Sequence, residues 1–183
     1  LASSVDAIAE LNRRGGERFD ETLGCAGGHR GLRVEPERQR LLAQQDAIRS
    51  QVRRELGIDA RERLLTWFSG GERPEDEIVT VIDGIEPLQK YANLRVAARV
   101  HPKLSEPARE VIRCRIAAWP ERFRVDPVAA RAVDANELTV ASDIVVGTWG
   151  STQCYVAVLA RAACISTHFG PAGVRLAVGY HDG

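Results

Sequence analysis

Methionine is absent from this 183-residue chain, and lysine occurs only at Lys90 and Lys103. Nearly all of the positive charge is therefore arginine, which a GC-rich genome explains without any function. Because the chain opens at Leu1, we expect the open reading frame to begin upstream of it. The 25 Lys and Arg residues balance 25 Asp and Glu residues, so the formal net charge is zero. This balance removes the whole-chain argument for a nucleic acid or an anionic membrane surface as partner.

The sequence also lacks the patterns of the common metal, redox and nucleotide motifs. No CxxC pair is present, because the cysteines lie far apart, at Cys25, Cys114, Cys154 and Cys164. We expect them to be reduced thiols in a cytoplasmic protein, since a disulfide framework is rare in a domain of this size. HExxH, GxSxG, Walker A and GxGxxG are missing, and no run reaches the roughly 18 apolar residues of a membrane span. The sequence therefore predicts no metal, no cofactor and no membrane span.

Short apolar runs alternate with helical spacing from residue 63 onwards. The runs predict strands over 64–68, 95–100, 123–125, 144–149 and 164–167, and a helix over 36–56 precedes them. At 78–88 the spacing is helical, but Gly84 and Pro87 interrupt it, and a strand over 78–82 is the alternative. This order predicts an α/β fold, a Rossmann-like doubly wound parallel sheet of about five strands with an N-terminal helical segment. We expect residues 1–57 to form a helical and loop lead-in with an interdomain linker, and 58–183 to form the Rossmann-like domain.

Three loops follow predicted strands, where an open parallel sheet binds its ligands. They are Ser69-Gly70-Gly71, His101-Pro102-Lys103 and Trp149-Gly150-Ser151-Thr152-Gln153. In the third loop, Gly150 lets the backbone approach a ligand, Ser151 and Thr152 supply hydroxyls, and the helix that follows directs N–H groups at an anion. This is the chemistry that a diphosphate needs. The alternative is that Ser151 only caps the helix.

The other two loops carry weaker signals. His101 could donate to phosphate or sugar oxygens, or take part in proton transfer, at a strand end that faces the ligand. The alternative is that its imidazole makes a structural hydrogen bond or faces solvent. Gly70 and Gly71 could border a ligand, but two glycines after a strand are more typical of a plain turn.

The order of these motifs resembles a known family. RVAARVHPKL at 95–104 and NELTVASDIVVGTWGSTQCYVAVLARAACIS at 136–166 are similar to the C-terminal nucleotide-binding half of GT-B glycosyltransferases. The superfamily also contains UDP-N-acetylglucosamine 2-epimerases and polyglycerol-phosphate polymerases. Its members share a strand that ends in His-Pro, an Ala-Ser-Asp before a strand, and a Gly-Ser-Ser/Thr turn that opens a helix touching the donor nucleotide. The resemblance covers about residues 50–168.

This resemblance implies a role for each candidate residue. His101 would face the donor phosphates or the reacting sugar, and Gly70 and Gly71 would border the interdomain cleft. The diphosphate would lie in a cradle formed by Gly150, Ser151 and Thr152, with Gln153 beside them.

The function that the resemblance implies is donor binding in a metal-independent GT-B glycosyltransferase. Its partners would be a nucleoside-diphosphate sugar and a missing N-terminal domain or partner chain, without which we expect this chain to be inactive. One alternative is an enzyme like the UDP-sugar 2-epimerases. Another is a noncatalytic Rossmann-like docking module with a decayed donor site. The docking alternative is favoured by Tyr155, Val156 and Ala157, which stand where many family members have the Glu that holds the donor ribose.

Overall fold

The computed structural model describes residues 36–70, 78–148, 151–170 and 173–178 of the chain. They form a five-stranded sheet in the order β2-β1-β3-β4-β5. Its strands are β1 (Arg63–Phe68), β2 (Leu94–Arg99), β3 (Ile144–Thr148), β4 (Ala163–Gly170) and β5 (Gly173–Val178). The first four strands run parallel, whereas β5 pairs antiparallel with β4. The α/β, Rossmann-like class is confirmed, but the parallel part has four strands, not about five.

The predicted strand over 123–125 is wrong. Val96 donates to the carbonyl of Phe123 over 2.7 Å and accepts from the N–H of Val125 over 2.8 Å, which amounts to an isolated bridge beside β2. The extended segment stops there because Asp126 begins a helix, its carboxylate accepting from the N–H of Val128. Strand β5, which pairs antiparallel with β4 and is the fifth strand of the sheet, is not among the strands predicted from the sequence.

Seven helical segments lie in the described ranges. They are α1 (Pro36–Ala43), α2 (Gln45–Glu55), α3 (π-helical Ile78–Ile82, α-helical Asp83–Ile85 and 3-10 Glu86–Lys90), α4 (Glu106–Ala117), α5 (Pro127–Ala132), α6 (Ala135–Ala141) and α7 (Thr152–Leu159). The predicted helix over 36–56 is thus divided at Gln44. Segment 78–90 is helical rather than a strand, and Pro87, which has no N–H to donate, lies in its 3-10 part.

Helices cover both faces of the sheet, and β1 is buried between them. Leu64 and Phe68 contact one apolar cluster, to which α1, α2, α6 and α7 contribute. Leu65 and Trp67 point to the opposite face and join a cluster with α3 and α4. This is the doubly wound arrangement, in which strand β1 lies at the centre of the molecule.

The amino ends of the strands are joined to α2 through the carboxylate of Asp143. It forms ion pairs with Arg49 at 2.5 Å, Arg53 at 3.1 Å and Arg63 at 3.1 Å, and accepts from the N–H of Leu64 over 2.8 Å. Helix α2 therefore packs on the sheet domain. The division at residue 57 stays a prediction, since residues 1–35 lie outside the described ranges. None of the described helices is long and apolar enough to cross a membrane.

Candidate functional site

The strand order reverses between β1 and β3, and the carboxyl ends of these strands form the candidate site. From β1 the chain crosses to β2 on one side, whereas β3 and β4 lie on the other side. Ser69 and Gly70 follow β1, His101 follows β2, and Ser151 follows β3. Such a reversal leaves a crevice at the carboxyl edge of the sheet. Two predicted site residues, Gly71 and Gly150, lie outside the described residues.

The loops after β1 and β2 are joined by a side chain that sequence reasoning did not single out. Ser69 is buried, and its hydroxyl accepts a hydrogen bond from the backbone N–H of His101 over 2.7 Å. The N–H of Ser69 donates in turn to the carbonyl of Arg99 over 3.0 Å. These two bonds hold the loop of His101 against the end of the central strand.

The imidazole of His101 is oriented by its own turn. Its Nδ1 accepts from the backbone N–H of Lys103 over 3.1 Å, so the proton of the neutral ring lies on Nε2. The ring is half-buried, and its Nε2–H is left to donate to a ligand. His101 thus makes the structural hydrogen bond of the alternative reading and still keeps a donor at the carboxyl edge.

Ser151 is the N-cap of α7. Its hydroxyl accepts from the N–H of Cys154 over 3.2 Å, and its backbone is extended at φ −69° and ψ 144°. Ser151 therefore caps α7. The first N–H groups of a helix, here those of Thr152 and Gln153, have no intrahelical partner and carry the positive end of the helix dipole. Thr152 is exposed and Gln153 is half-buried, so this helix end is open to a ligand.

Close packing against β3 fixes the position of this helix end. A Cβ atom added to Gly147 would lie 2.9 Å from Cys154 Sγ and 3.1 Å from Ser151 Oγ. Any side chain at position 147 would therefore displace the side chains of Cys154 and Ser151 from their present positions. The carbonyl of Gly147 also accepts from the hydroxyl of Thr167 over 3.1 Å, which ties β3 to β4 at the same level. Gly147 is a second residue that sequence reasoning missed, because only the fold brings α7 over it.

A cation also lies at the carboxyl end of β2. Burial lowers the pKa of Arg99, while Asp134 raises it, and a guanidinium stays charged in either case. Its Nη1 donates to the carbonyl of Val133 over 2.6 Å. Arg99 therefore places a cation at the carboxyl end of β2, with the Asp134 carboxylate close enough to raise its pKa.

The helix that follows Ser151 offers no carboxylate to a ribose. Val156 and Ala157 are buried in the core, and Tyr155 is half-buried. Among the described side chains, no group of three or more His, Cys, Asp or Glu residues is placed to hold a metal ion. The described polar groups at this edge are thus N–H and O–H groups and a cation.

A cavity of about 360 Å³ lies elsewhere, at the amino end of β2. It is lined by Arg95, Glu121, Arg124 and Asp126. Two guanidinium groups face two carboxylates there, so the cavity has no net charge to attract an anion. We therefore place the candidate site at the carboxyl edge of the sheet.

Comparisons of the chain with known proteins found no relative. No model of a protein family, no curated protein and no solved structure matches the chain. The class that the fold and the site define is an α/β protein with a Rossmann-like sheet. The fold and the site do not by themselves assign the chain to a particular family.

Proposed function

We propose that the carboxyl edge of the sheet binds the diphosphate of a nucleoside-diphosphate sugar, and that the chain is the donor-binding half of a metal-independent GT-B glycosyltransferase. One observation carries this proposal. The open N-terminus of α7 is held beside the reversal of strand order, because Gly147 lets its first turn pack directly on β3.

Each neighbouring group supports binding of a diphosphate in a different way. The N–H groups of Thr152 and Gln153 would donate to phosphate oxygens, as helix N-termini do for anions. The Nε2–H of His101 would donate from the loop after β2, and Arg99 would supply charge. When the sugar departs, negative charge grows on the diphosphate, and donors already in place stabilise it without reorganising. The acceptor and the catalytic base would come from another domain or a partner chain.

A noncatalytic docking module is the second candidate function. It is favoured by the stretch Tyr155, Val156 and Ala157, which has no carboxylate where the resembled family has a ribose-binding Glu, and in which Val156 and Ala157 are buried. In that case the carboxyl edge would keep its shape and would bind no nucleotide.

Thr152→Pro tests the role of the helix N–H groups. Position 152 is the first residue of α7, where proline is well tolerated, and the extended backbone of Ser151 suits a residue that precedes proline. The variant removes one N–H and leaves the Ser151 cap intact. We expect binding of UDP, GDP or CDP, measured by calorimetric titration, to weaken about 10-fold or more, since a hydrogen bond to a charged group contributes about 1.5–3 kcal/mol.

Thr152→Ala is the matched control, because it removes the hydroxyl and keeps the N–H. It should retain more affinity than Thr152→Pro, and both should unfold at the same urea concentration as the wild type. If the proline variant binds as tightly as the alanine variant, the assignment to the helix N–H groups is wrong. If the wild-type chain binds none of the three nucleotides, the docking function is favoured instead.

A further inference from the structure

Two cysteines and a serine lie together between α7 and the sheet. Cys154 is in the first turn of α7, and Cys164 and Ser166 are alternate residues of β4, so they share one face of that strand. Cys164 packs against the apolar cluster to which α7 contributes. A Cβ on Gly147 would lie 2.9 Å from Cys154 Sγ, and Gly147 pairs with Ser166 across β3 and β4. Val145, two residues before Gly147 and on the same face, pairs with Cys164. The two thiols are ten positions apart in the chain, and the β3–α7–β4 crossover brings them to the same side of the sheet.

The surroundings of Cys154 are polar for a half-buried thiol. Its Sγ lies 3.7 Å from the carbonyl of Thr148, and the space beside it is free only because residue 147 is glycine. The hydroxyl of Ser166 is buried and has no hydrogen-bond partner among the described residues. It is close enough to donate to Cys154 once that sulfur is ionised. An unpartnered hydroxyl aimed at a sulfur is a second sign, besides the cysteine pair, that a thiolate is accommodated here.

The two thiols differ in how readily they ionise. The Cys164 thiol, as hydrogen-bond donor, lowers the pKa of Cys154 to about 7; burial opposes this, and the hydroxyls of Ser151 and Ser166 assist it. The same contact, together with burial, raises the pKa of Cys164. Cys154 is therefore the nucleophile of the pair, and Cys164 stays protonated beside it. The first turn of a helix is also a position that favours a thiolate.

We propose that Cys154 and Cys164 form a peroxide-reactive dithiol that closes to an intramolecular disulfide. The Cys154 thiolate attacks one oxygen of hydrogen peroxide and the O–O bond breaks. Hydroxide is the leaving group, and Cys154 becomes a sulfenic acid. Cys164 then attacks the sulfenic sulfur, the S–S bond forms, and the OH group departs as water. The departing OH group takes the proton of Cys164, and the hydroxide of the first step takes up the proton that Cys154 released on ionising. The two thiols are thus oxidised by two electrons while one peroxide becomes two waters.

The reactivity of this pair does not depend on whether the chain binds a nucleotide. Closing the disulfide brings the two sulfurs to about 2.05 Å. Cys154 Sγ is thereby drawn towards β4 and away from the carbonyl of Thr148. Since the N–H of Cys154 is the group that Ser151 caps, the first turn of α7 would register the oxidation.

The test is peptide mapping of the whole chain after titration with hydrogen peroxide near pH 7. Trypsin cuts after Arg131, Arg161 and Arg175, so Cys154 and Cys164 fall in separate peptides, 132–161 and 162–175. We expect these two peptides to run as one disulfide-linked species that a reductant separates. In Cys164→Ser the reaction should stop at the sulfenic acid, which dimedone traps on Cys154.

Cys114 provides an internal control, because it is exposed and Glu110 raises its pKa. At pH 7 a pKa of about 7 leaves a large share of Cys154 as thiolate, whereas the raised pKa keeps Cys114 protonated. The more acidic thiol is also the weaker nucleophile, which offsets part of this difference in rate. We expect Cys154 to be oxidised about fivefold faster or more, and Cys114→Ser to leave the linked peptides unchanged. The proposal is overturned if Cys114 is consumed first in the wild-type chain. It is equally overturned if the two peptides stay separate while Cys154 is oxidised, or if the only disulfides formed join two chains.

Discussion

At the residue scale, His101 shows how one side chain can serve both the fold and a site. Its Nδ1 accepts from the N–H of Lys103, and its backbone N–H donates to Ser69. These two bonds shape the loop after β2, and they leave Nε2–H as the one ring donor available to a ligand. The roles of the two ring nitrogens can be tested separately, because an asparagine amide lies near the position of Nδ1 and a glutamine amide near that of Nε2.

We expect His101→Asn to keep the fold and lose affinity. The asparagine oxygen can replace Nδ1 as the acceptor for Lys103, so the free energy of unfolding in urea should stay within about 0.5 kcal/mol of wild type. The Nε2 donor is lost, and nucleotide binding by titration should weaken about 10-fold. His101→Gln should show the reverse, with the stability reduced by about 1 kcal/mol and more of the affinity kept. Equal binding by His101→Asn and the wild type would remove His101 from the proposed site.

The sequence predicted single residues best where the chemistry is local. A serine before a helix is a common cap, and Ser151 and Ser105 both cap as their positions indicate. Gly57, which directly follows the predicted helix over 36–56, has the positive φ of 65° that favours glycine there. Gly147 and the pair Cys154–Cys164 gave no local signal, because their roles depend on how α7 crosses β3 and β4.

At the element scale, Asp143 joins helix α2 to the amino ends of β1 and β3. Burial raises the pKa of its carboxyl, but the N–H of Leu64 and the guanidinium groups of Arg49 and Arg63 more than offset this and lower it. Arg53, itself buried, also donates to the carbonyl of Asp59 over 3.2 Å. The carboxylate thus compensates a buried cation and closes a network that no surface ion pair would replace.

Asp143→Asn should destabilise the fold by about 3 kcal/mol in urea unfolding, because it leaves the buried Arg53 without its counter-charge. Because its pKa is lowered in the folded state, the carboxylate contributes fully to the free energy of unfolding above the ordinary pKa of 3.8. This contribution is lost as the pH falls through the pKa of the folded state. The gap between variant and wild type should therefore narrow below about pH 4.

Asp83→Asn is the control for that experiment, since Asp83 pairs with Arg115 at the surface with half of its side chain exposed. It should change stability by no more than about 1 kcal/mol. If the two variants lose equal stability, the Asp143 network is an ordinary surface feature.

Helices and strands could be predicted where the apolar pattern agrees with the glycine and proline residues that end it. β1, β2 and β3 lie within a residue or two of the predicted runs. The segment 78–90 was ambiguous because β-branched residues favour a strand while their spacing favours a helix. Burial of Val81, Ile82 and Ile85 on one side settles it as a helix against the sheet.

At the scale of the whole molecule, alternating strands and helices were enough to predict a parallel α/β sheet. The order of the strands, the antiparallel β5 and the packing of α1 and α2 are not encoded in local patterns. They depend on long-range contacts, such as that of Arg49 with Asp143, 94 positions away in the chain. The candidate site was predicted in part for the same reason, since its loops could be named while the bond between Ser69 and His101 could not.

The same contacts predict that α1 and α2 are required for folding. Leu41, Ile48, Val52 and Leu56 are at most 9% exposed and belong to the cluster that covers one face of the sheet. Burial of one such side chain contributes about 1.5–3 kcal/mol, so four of them match the 5–15 kcal/mol that typically separates a folded domain from its unfolded state. A chain of residues 58–183 should therefore lack a cooperative thermal transition by circular dichroism, whereas residues 36–183 should unfold cooperatively. If 58–183 melts like the longer chain, the lead-in is a dispensable linker, and the cluster under α2 tolerates exposure to water.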